Sequence, residues 1–388
     1  MSGDFSQADY RHMARALQLA NKGLYTTDPN PRVGCVIARG GHIVGEGYHL
    51  RAGEPHAEIH ALNAAGEQAQ GATAYVTLEP CSHTGRTGPC AVALKDANVA
   101  RVVIAMVDPN PHVSGRGIHL LEEAGIEVAV GLLESEARAL NPGFIARMTQ
   151  QRPFVRLKMA MSLDGRTAMG SGESQWITGP EARAQVQRLR ARSSAILSGV
   201  ESIIMDDSRL TLRADQLDLE NAQEVVRRQP LRVILDTHLR LPLAAACLTE
   251  PGRTLVITTP DHSDEKRQRL TLAGAEVQVL PASDTGRIDL ALMLAWLAEN
   301  EQVNELLVET GATLAGAMLD AELIDELQLF VAPTLLGGEA RPLFALPGLA
   351  RMADQRRLTI HDMRAVGRDW RIIASPQATS ATGDSKVP

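Results

Sequence analysis

Three side chains constrain this fold more than any others: His56, Cys81 and Cys90. They stand in Pro55-His56-Ala57-Glu58 and in Pro80-Cys81-Ser82-His83-Thr84-Gly85-Arg86-Thr87-Gly88-Pro89-Cys90. One imidazole and two thiolates select zinc over magnesium or calcium. A structural zinc takes four protein ligands, whereas a catalytic one takes three and keeps a position for water. The count stops at three here, so the chain must fold to bring these donors to one point and leave the fourth open. Glu58 follows His56 too closely to be an easy fourth ligand. It suits a proton shuttle, taking a proton from water and delivering it to a ring nitrogen and a leaving amine. A bound zinc would bring the pKa of its water to about 7.

The spacing agrees with the zinc-deaminase signature with one departure: eight residues separate the two cysteines, where two are usual. The insert makes a loop that carries His83, Thr84 and Arg86 past the metal, suited to an anionic substrate tail. If Cys90 opens or lies within the next helix, the positive pole of that helix favours its thiolate.

The 388 residues suggest two domains. A net charge of -7 argues against a duplex nucleic-acid partner, which demands a basic face. Aromatics make up only 3% of the chain, so its cores must be aliphatic. No apolar run has the length of a membrane span, and the N-terminal residues lack a signal-peptide pattern. The four cysteines then read as reduced thiols, and the expected compartment is the cytoplasm.

Residues 6–22 pattern as a helix capped by Ser6. A hairpin follows over Val33–Ala38 and Ile43–Tyr48, then a helix over Ala57–Ala65. Strands at 73–78, 101–107 and 126–130 alternate with helices at 91–97 and 117–124, which predicts a layered α/β domain with a partly parallel sheet. A single polar helix over 134–150 closes this domain. The pattern restarts at residue 151. Strands are expected at 154–161, 195–197, 231–235, 254–258, 277–280, 305–308, 328–331, 358–366 and 370–374, with helices at 181–192, 264–273 and 289–299. Residues 376–388 lack periodicity and read as a disordered tail.

In the second half, Glu309-Thr310-Gly311 followed by small residues to Ala317 is a strand, a turn and a helix that offers backbone N–H groups to phosphate. It is neither a P-loop nor a Gly-x-Gly-x-x-Gly fingerprint, and a ligand-free turn explains it equally well. Lys158 interrupts an apolar strand. It is either a buried, paired lysine of a central strand or a solvent-facing lysine of an edge strand. Ser171–Thr178, with Trp176, reads as a ligand-facing loop. Arg183, Arg188, Arg190 and Arg192 crowd one helix, mostly a solvated face, with one free to reach a phosphate. In the first half, Asn30 before Pro31 is a turn former, His49 beside a strand is satisfied by backbone, and Cys35 is a core residue.

Asn30-Pro31-Arg32-Val33-Gly34-Cys35-Val36-Ile37, Gly45-Glu46-Gly47-Tyr48-His49 and Ala52-Gly53-Glu54-Pro55-His56-Ala57-Glu58, with the Pro-Cys loop, resemble the RibD family of bifunctional riboflavin-biosynthesis proteins. The likeness covers about residues 5 to 375, and the long cysteine spacing is normal in that family. Gly88-Pro89-Cys90 stands where the family often has Pro-Pro-Cys. The resemblance implies a cytidine-deaminase-like three-layer αβα domain over 1–150 and a dihydrofolate-reductase-like α/β domain over 151–375. It implies zinc on His56, Cys81 and Cys90, with Glu58 as proton donor and Asn30, His49, His83 and Arg86 around the substrate. For the reductase half it implies NADPH at Ala160, Trp176, Ser202, Asp206, Thr237 and Gly311, Ala312, Thr313, Leu314, Ala315, Gly316 and Ala317. Substrate would lie at Ser174, Arg190, Leu210, Arg213 and Glu309, with Arg190 and Arg213 clamping its phosphate. Lys158 is the candidate proton donor and Glu309 its orienter. The implied reactions are hydrolysis of the exocyclic amine of a diaminopyrimidinone ribosylamino-phosphate to the uracil, then reduction of its ribosyl chain to ribityl. The implied partners are small phosphorylated pyrimidines, neither nucleic acid nor membrane, and the implied assembly is a homodimer or homotetramer. The alternative is a nucleic-acid or nucleoside deaminase with an accessory binding domain.

Overall fold

The computed structural model describes residues 5–82, 88–111 and 113–378. They divide into two compact units. One runs to Pro153 and takes in Ala298–Asn304; the other comprises Phe154–Leu297 and the chain from Glu305 onward.

In the first unit, α1 (Gln7–Lys22) is capped by Ser6, whose hydroxyl accepts the Asp9 N–H while the Asp9 carboxylate accepts the Ser6 N–H. The hairpin is β1 (Gly34–Arg39) and β2 (His42–Tyr48), followed by α2 (Ala57–Ala65), β3 (Thr73–Val76), α3 (Cys90–Asp96), β4 (Arg101–Ile104), α4 (Arg116–Glu123) and β5 (Glu127–Val130). The five strands order β2-β1-β3-β4-β5, antiparallel on both sides of β1 and parallel from β3 to β5.

Period-two alternation along the strands divides the core into two layers. Cys35, Ile37, Ala74, Val76, Val102 and Ile104 face α2, α3 and α4. Val36, Ala38, Tyr75 and Val103 face α1. The helix expected over 134–150 is two helices, α5 (Glu134–Leu140) and α6 (Pro142–Gln150). Pro142 cannot donate to the preceding turn, and Asn141 leaves the helix to bind Arg32 with both ends of its amide. Gly45 and Gly47 let α2 lie directly on β2, because a Cβ at either would run into the carbonyl oxygen of Ala61 or Ala57.

The second unit contains β6 (Phe154–Ser162), β7 (Arg166–Ala168), α7 (Pro180–Arg192), β8 (Ala195–Gly199), α8 (Val200–Asp206), the short helices α9 (Ala214–Leu217) and α10 (Ala222–Val225), and β9 (Leu231–Leu235). These are followed by α11 (Ala246–Thr249), β10 (Thr254–Thr258), α12 (Asp264–Leu272), β11 (Glu276–Val279), α13 (Leu290–Asn300, whose end from Ala298 belongs to the first unit), β12 (Glu305–Glu309), α14 (Ala312–Asp320), β13 (Glu326–Ala332), β14 (Arg341–Pro342), β15 (Leu358–Val366) and β16 (Asp369–Pro376). Nine strands order β11-β10-β9-β8-β12-β6-β13-β16-β15. The run from β11 to β13 is parallel, and β16 and β15 are antiparallel. The tail expected from residue 376 starts too early: Pro376 pairs with Leu358, and the Gln377 N–H reaches the Arg357 carbonyl. Residues 379–388 lie outside the described residues.

Candidate active sites

The first site is assembled from three chain segments. His56 is the N-cap of α2 and Glu58 sits in its first turn. Pro80 ends the run after β3 and presents Cys81. Cys90 is the first residue of α3, and its N–H donates to Cys81 Sγ at 3.3 Å. Cys81 Sγ lies 3.7 Å and Cys90 Sγ 3.3 Å from His56 Nδ1. A tetrahedral zinc site with bonds of about 2.0–2.3 Å holds its donors roughly 3.5 Å apart, so these three fit the ion. Among the described residues they are the one such set of donors.

The electrostatics favour one thiolate, on Cys81, and not the Cys90 thiolate expected from the helix pole. The Cys81 thiol is brought down to about 4, chiefly by its hydrogen bond with Cys90 and, against burial, by His56. Cys90 moves up as the partner that keeps the proton, and His56 moves up through its bond to Cys81. Glu58 is buried and its Oε2 has no hydrogen-bond partner. Burial, reinforced by the negative charge on Cys81, pushes its carboxyl up to about 7. A carboxyl poised near neutrality can both take and give a proton.

His49 is buried with both ring nitrogens engaged, Nδ1 at 3.2 Å from the Pro55 carbonyl and Nε2 at 3.1 Å from Asn30 Nδ2. Its ring stands edge-on to His56 at 5.2 Å. Burial lowers its pKa, so it is neutral and donates to Pro55 through Nδ1. The His49 ring thus meets backbone at one nitrogen and the Asn30 side-chain amide at the other. Cys35 is fully buried and its thiol is pushed up, as a core residue should be. His83 and Arg86 lie outside the described residues.

The second site is a cleft of about 1630 Å³. It gathers Lys158, Ala160, Ser174, Trp176, Arg190, Ser202, Asp206, Leu210, Arg213, Thr237, Glu309, Gly311, Ala312, Thr313, Leu314 and Ala317. Ala315 and Gly316 do not line it. Both are buried, and a Cβ on Gly316 would strike the Ala345 carbonyl. The N-terminus of α14, at Gly311, has no side-chain cap.

Lys158 is not on an edge: β6 lies between β12 and β13. Its Nζ sits 3.1 Å from Glu309 Oε2, and Arg190 grips the same carboxylate from Nε at 2.6 Å and Nη2 at 3.1 Å. Burial opposes the charge on Glu309, but Arg190 and Lys158 overcome it and hold the carboxyl at about 2. The arginines of α7 are not a solvated face. Arg188 binds the Leu217 and Asp218 carbonyls, Arg192 binds Glu305, and Arg183 stacks on Trp176 at 4.8 Å. Arg190 also binds the Thr211 carbonyl, which leaves it little capacity for a phosphate. Arg213 lines the cleft with no ion-pair partner among the described residues. Ser174 Oγ donates to Asp206 at 2.8 Å, tying the loop to α8. Gln187, Ser198, Asp236, His238 and Arg287 also line the cleft and carried no motif by which sequence could mark them.

Two family models match the chain. The cytidine and deoxycytidylate deaminase zinc-binding region covers residues 6–106, and the RibD C-terminal domain covers 153–372. The riboflavin biosynthesis protein RibD of Escherichia coli is 50% identical over 365 residues, 93% of this chain and 97% of that protein. The solved structure of Acinetobacter baumannii RibD superposes with a TM-score of 0.88 at 47% identity, covering 96% of this chain and 99% of that one. A Thermotoga maritima diaminohydroxyphosphoribosylaminopyrimidine deaminase/5-amino-6-(5-phosphoribosylamino)uracil reductase superposes with a TM-score of 0.81 at 32% identity, covering 95% of this chain and 99% of that one.

Proposed function

The chain belongs to the RibD family of bifunctional riboflavin-biosynthesis proteins, and on that premise we propose how its residues divide the two reactions. It is a zinc-dependent deaminase joined to an NADPH-dependent reductase, acting on small phosphorylated pyrimidines. The alternative of a deaminase with an accessory nucleic-acid-binding domain gives way, because the second half matches the RibD reductase domain.

His56, Cys81 and Cys90 hold the zinc, which when bound is a Lewis acid that makes water acidic enough to attack at neutral pH. Glu58 takes a proton from the water and passes it to the ring nitrogen. It then moves the second proton to the departing amine, so that water and amine are exchanged for carbonyl and ammonia. Asn30 and His49 shape the pocket, with His49 fixing Asn30 and the turn before His56. His83 and Arg86 complete the substrate contacts in this proposal.

In the cleft, NADPH supplies the hydride when bound. As a hydride reaches the ribose C1, Lys158 Nζ gives a proton to the imine nitrogen or carbonyl oxygen on that carbon, and Glu309 aims it. Arg213 takes the substrate phosphate, with Ser174 and Leu210 alongside. Ala160, Trp176, Ser202, Asp206, Thr237 and the first turn of α14 hold the cofactor. The functional division falls near residue 150, the enzyme works in the cytoplasm, and it assembles as a homo-oligomer.

The observation that carries the first reaction is the orphaned Oε2 of Glu58 beside three converged zinc donors. Ammonia release and NADPH oxidation, assayed separately on their own substrates in the His56→Ala enzyme, test the division. Ammonia release should vanish while reduction continues. Loss of both would refute the assignment of the two reactions to separate sites.

A further inference from the structure

Glu79 lies two residues before the ligand Cys81, and it is buried. Its side chain reaches chain far downstream. Oε1 accepts the N–H groups of Gly117 at 2.9 Å and Ile118 at 3.4 Å. Oε2 accepts those of Asp108 at 3.1 Å and Gly115 at 3.0 Å. One carboxylate thus gathers four backbone donors from the segment between β4 and α4 and from the start of that helix. Gly115, the N-cap of α4, has a left-handed backbone with φ of 78° and no side chain to cap the helix, so Glu79 does this from a distance.

Two further contacts fix the same stretch. The Glu79 N–H donates to the Met106 carbonyl at 3.0 Å. Gly117 packs so closely on Pro80 that a Cβ there would strike the Pro80 carbonyl oxygen. On its other side, Cys81 is held by α3: its carbonyl accepts the Ala91 N–H at 3.1 Å and its sulfur accepts the Cys90 N–H. The ligand strand end is therefore clamped from both sides. The α3 contacts belong to the metal centre itself, whereas the Glu79 contacts touch none of the donors.

We propose that Glu79 is a positioning residue for the zinc centre, holding Cys81 in place through the backbone of Asp108, Gly115, Gly117 and Ile118. This deepens the metal assignment above and rests on it. Side chains that orient metal ligands from outside the coordination sphere change metal affinity by about 10- to 100-fold when removed. Glu79→Gln keeps the shape but turns one acceptor into a donor that faces backbone N–H groups.

The test uses the full-length, zinc-loaded enzyme. Zinc release to a chelator is timed for the parent, Glu79→Gln and Glu79→Asp, with NADPH oxidation by the reductase half as a control for folding. Release should be about 10-fold faster or more in Glu79→Gln and intermediate in Glu79→Asp, with unchanged reductase rate. Release within twofold of the parent in a folded Glu79→Gln enzyme overturns the proposal. A parent that binds no zinc would instead refute the metal site. A second measurement needs no variant, because coupling is reciprocal. Stripping zinc from the parent should speed hydrogen exchange at the amides of Asp108, Gly115, Gly117 and Ile118. Unchanged exchange there shows that the clamp and the metal do not communicate, and it overturns the proposal even if Glu79→Gln fails to fold.

Discussion

Lys158 and Glu309 face each other across adjacent parallel strands, at paired register positions of β6 and β12, with Nζ and Oε2 3.1 Å apart. Neither strand is an edge, and the lysine is held by a carboxylate. Arg190 closes the other side of that carboxylate. A cation fixed in this way is aimed, and aim is what a proton donor to the heteroatom beside a reacting carbon needs.

Replacing Lys158 with Met should lower the reductase kcat by roughly 10²- to 10⁴-fold, the range for a general acid. NADPH affinity and ammonia release should stay at parental values. Steady-state NADPH oxidation with cofactor titration by fluorescence checks this. A kcat within threefold of the parent would remove Lys158 from the chemistry.

Glu58→Gln should retain one zinc per chain while ammonia release falls by about 10²-fold or more. Metal analysis on the same sample separates loss of the shuttle from loss of the ion. Full zinc with full ammonia release would leave Glu58 without a role in proton transfer.

Arg190 and Arg213, both lining the cleft, should behave differently. Arg213→Ala should raise KM for the phosphorylated substrate about 10-fold or more with stability unchanged, since its guanidinium has no ion-pair partner among the described residues. Arg190→Ala removes one side of a buried ion pair and should destabilise the reductase half by roughly 3 kcal/mol. Urea unfolding beside kinetics distinguishes them, and equal effects on stability would contradict the separation.

Glu309 ties acid stability to the cleft. Its carboxyl is held at about 2 in the fold, because Arg190 and Lys158 outweigh the cost of burial, against an ordinary value of 4.5. A depressed folded pKa stabilises fully above the unfolded value, and that stability is lost as pH falls from about 4.5 towards 2. The contribution is roughly 3 kcal/mol. Glu309→Gln should therefore flatten this part of the stability curve. Parallel curves for parent and variant between these pH values would show that Glu309 does not carry the dependence.

Much of this was legible in the chain, and the exceptions share a physical cause. His56, Cys81, Cys90 and Glu58 could be read because zinc restricts donor type and number. The apolar run over Val33–Ala38 marked a strand, though only the structure shows helices covering both of its faces. The α7 arginines misled because helical spacing says which residues share a face, not what lies across from it. The partners Asp218 and Glu305 come from distant chain. Glu79 left no signal for the same reason: its acceptors bind backbone N–H groups that any residue provides. The break at Asn141-Pro142 was written in the sequence, but the polar periodicity on both sides obscured it.

Gly45 and Gly47 have a consequence for how far the deaminase half can be varied. They stand under the helix whose first turn begins just after His56 and carries Glu58. A methyl group at Gly47 would wedge against the Ala57 carbonyl in that first turn, and one at Gly45 against Ala61 and Ala65 further along the helix. Two hydrogens in a hairpin thus set how closely the helix bearing the proton carrier can lie on its sheet, at positions that themselves touch no reactant.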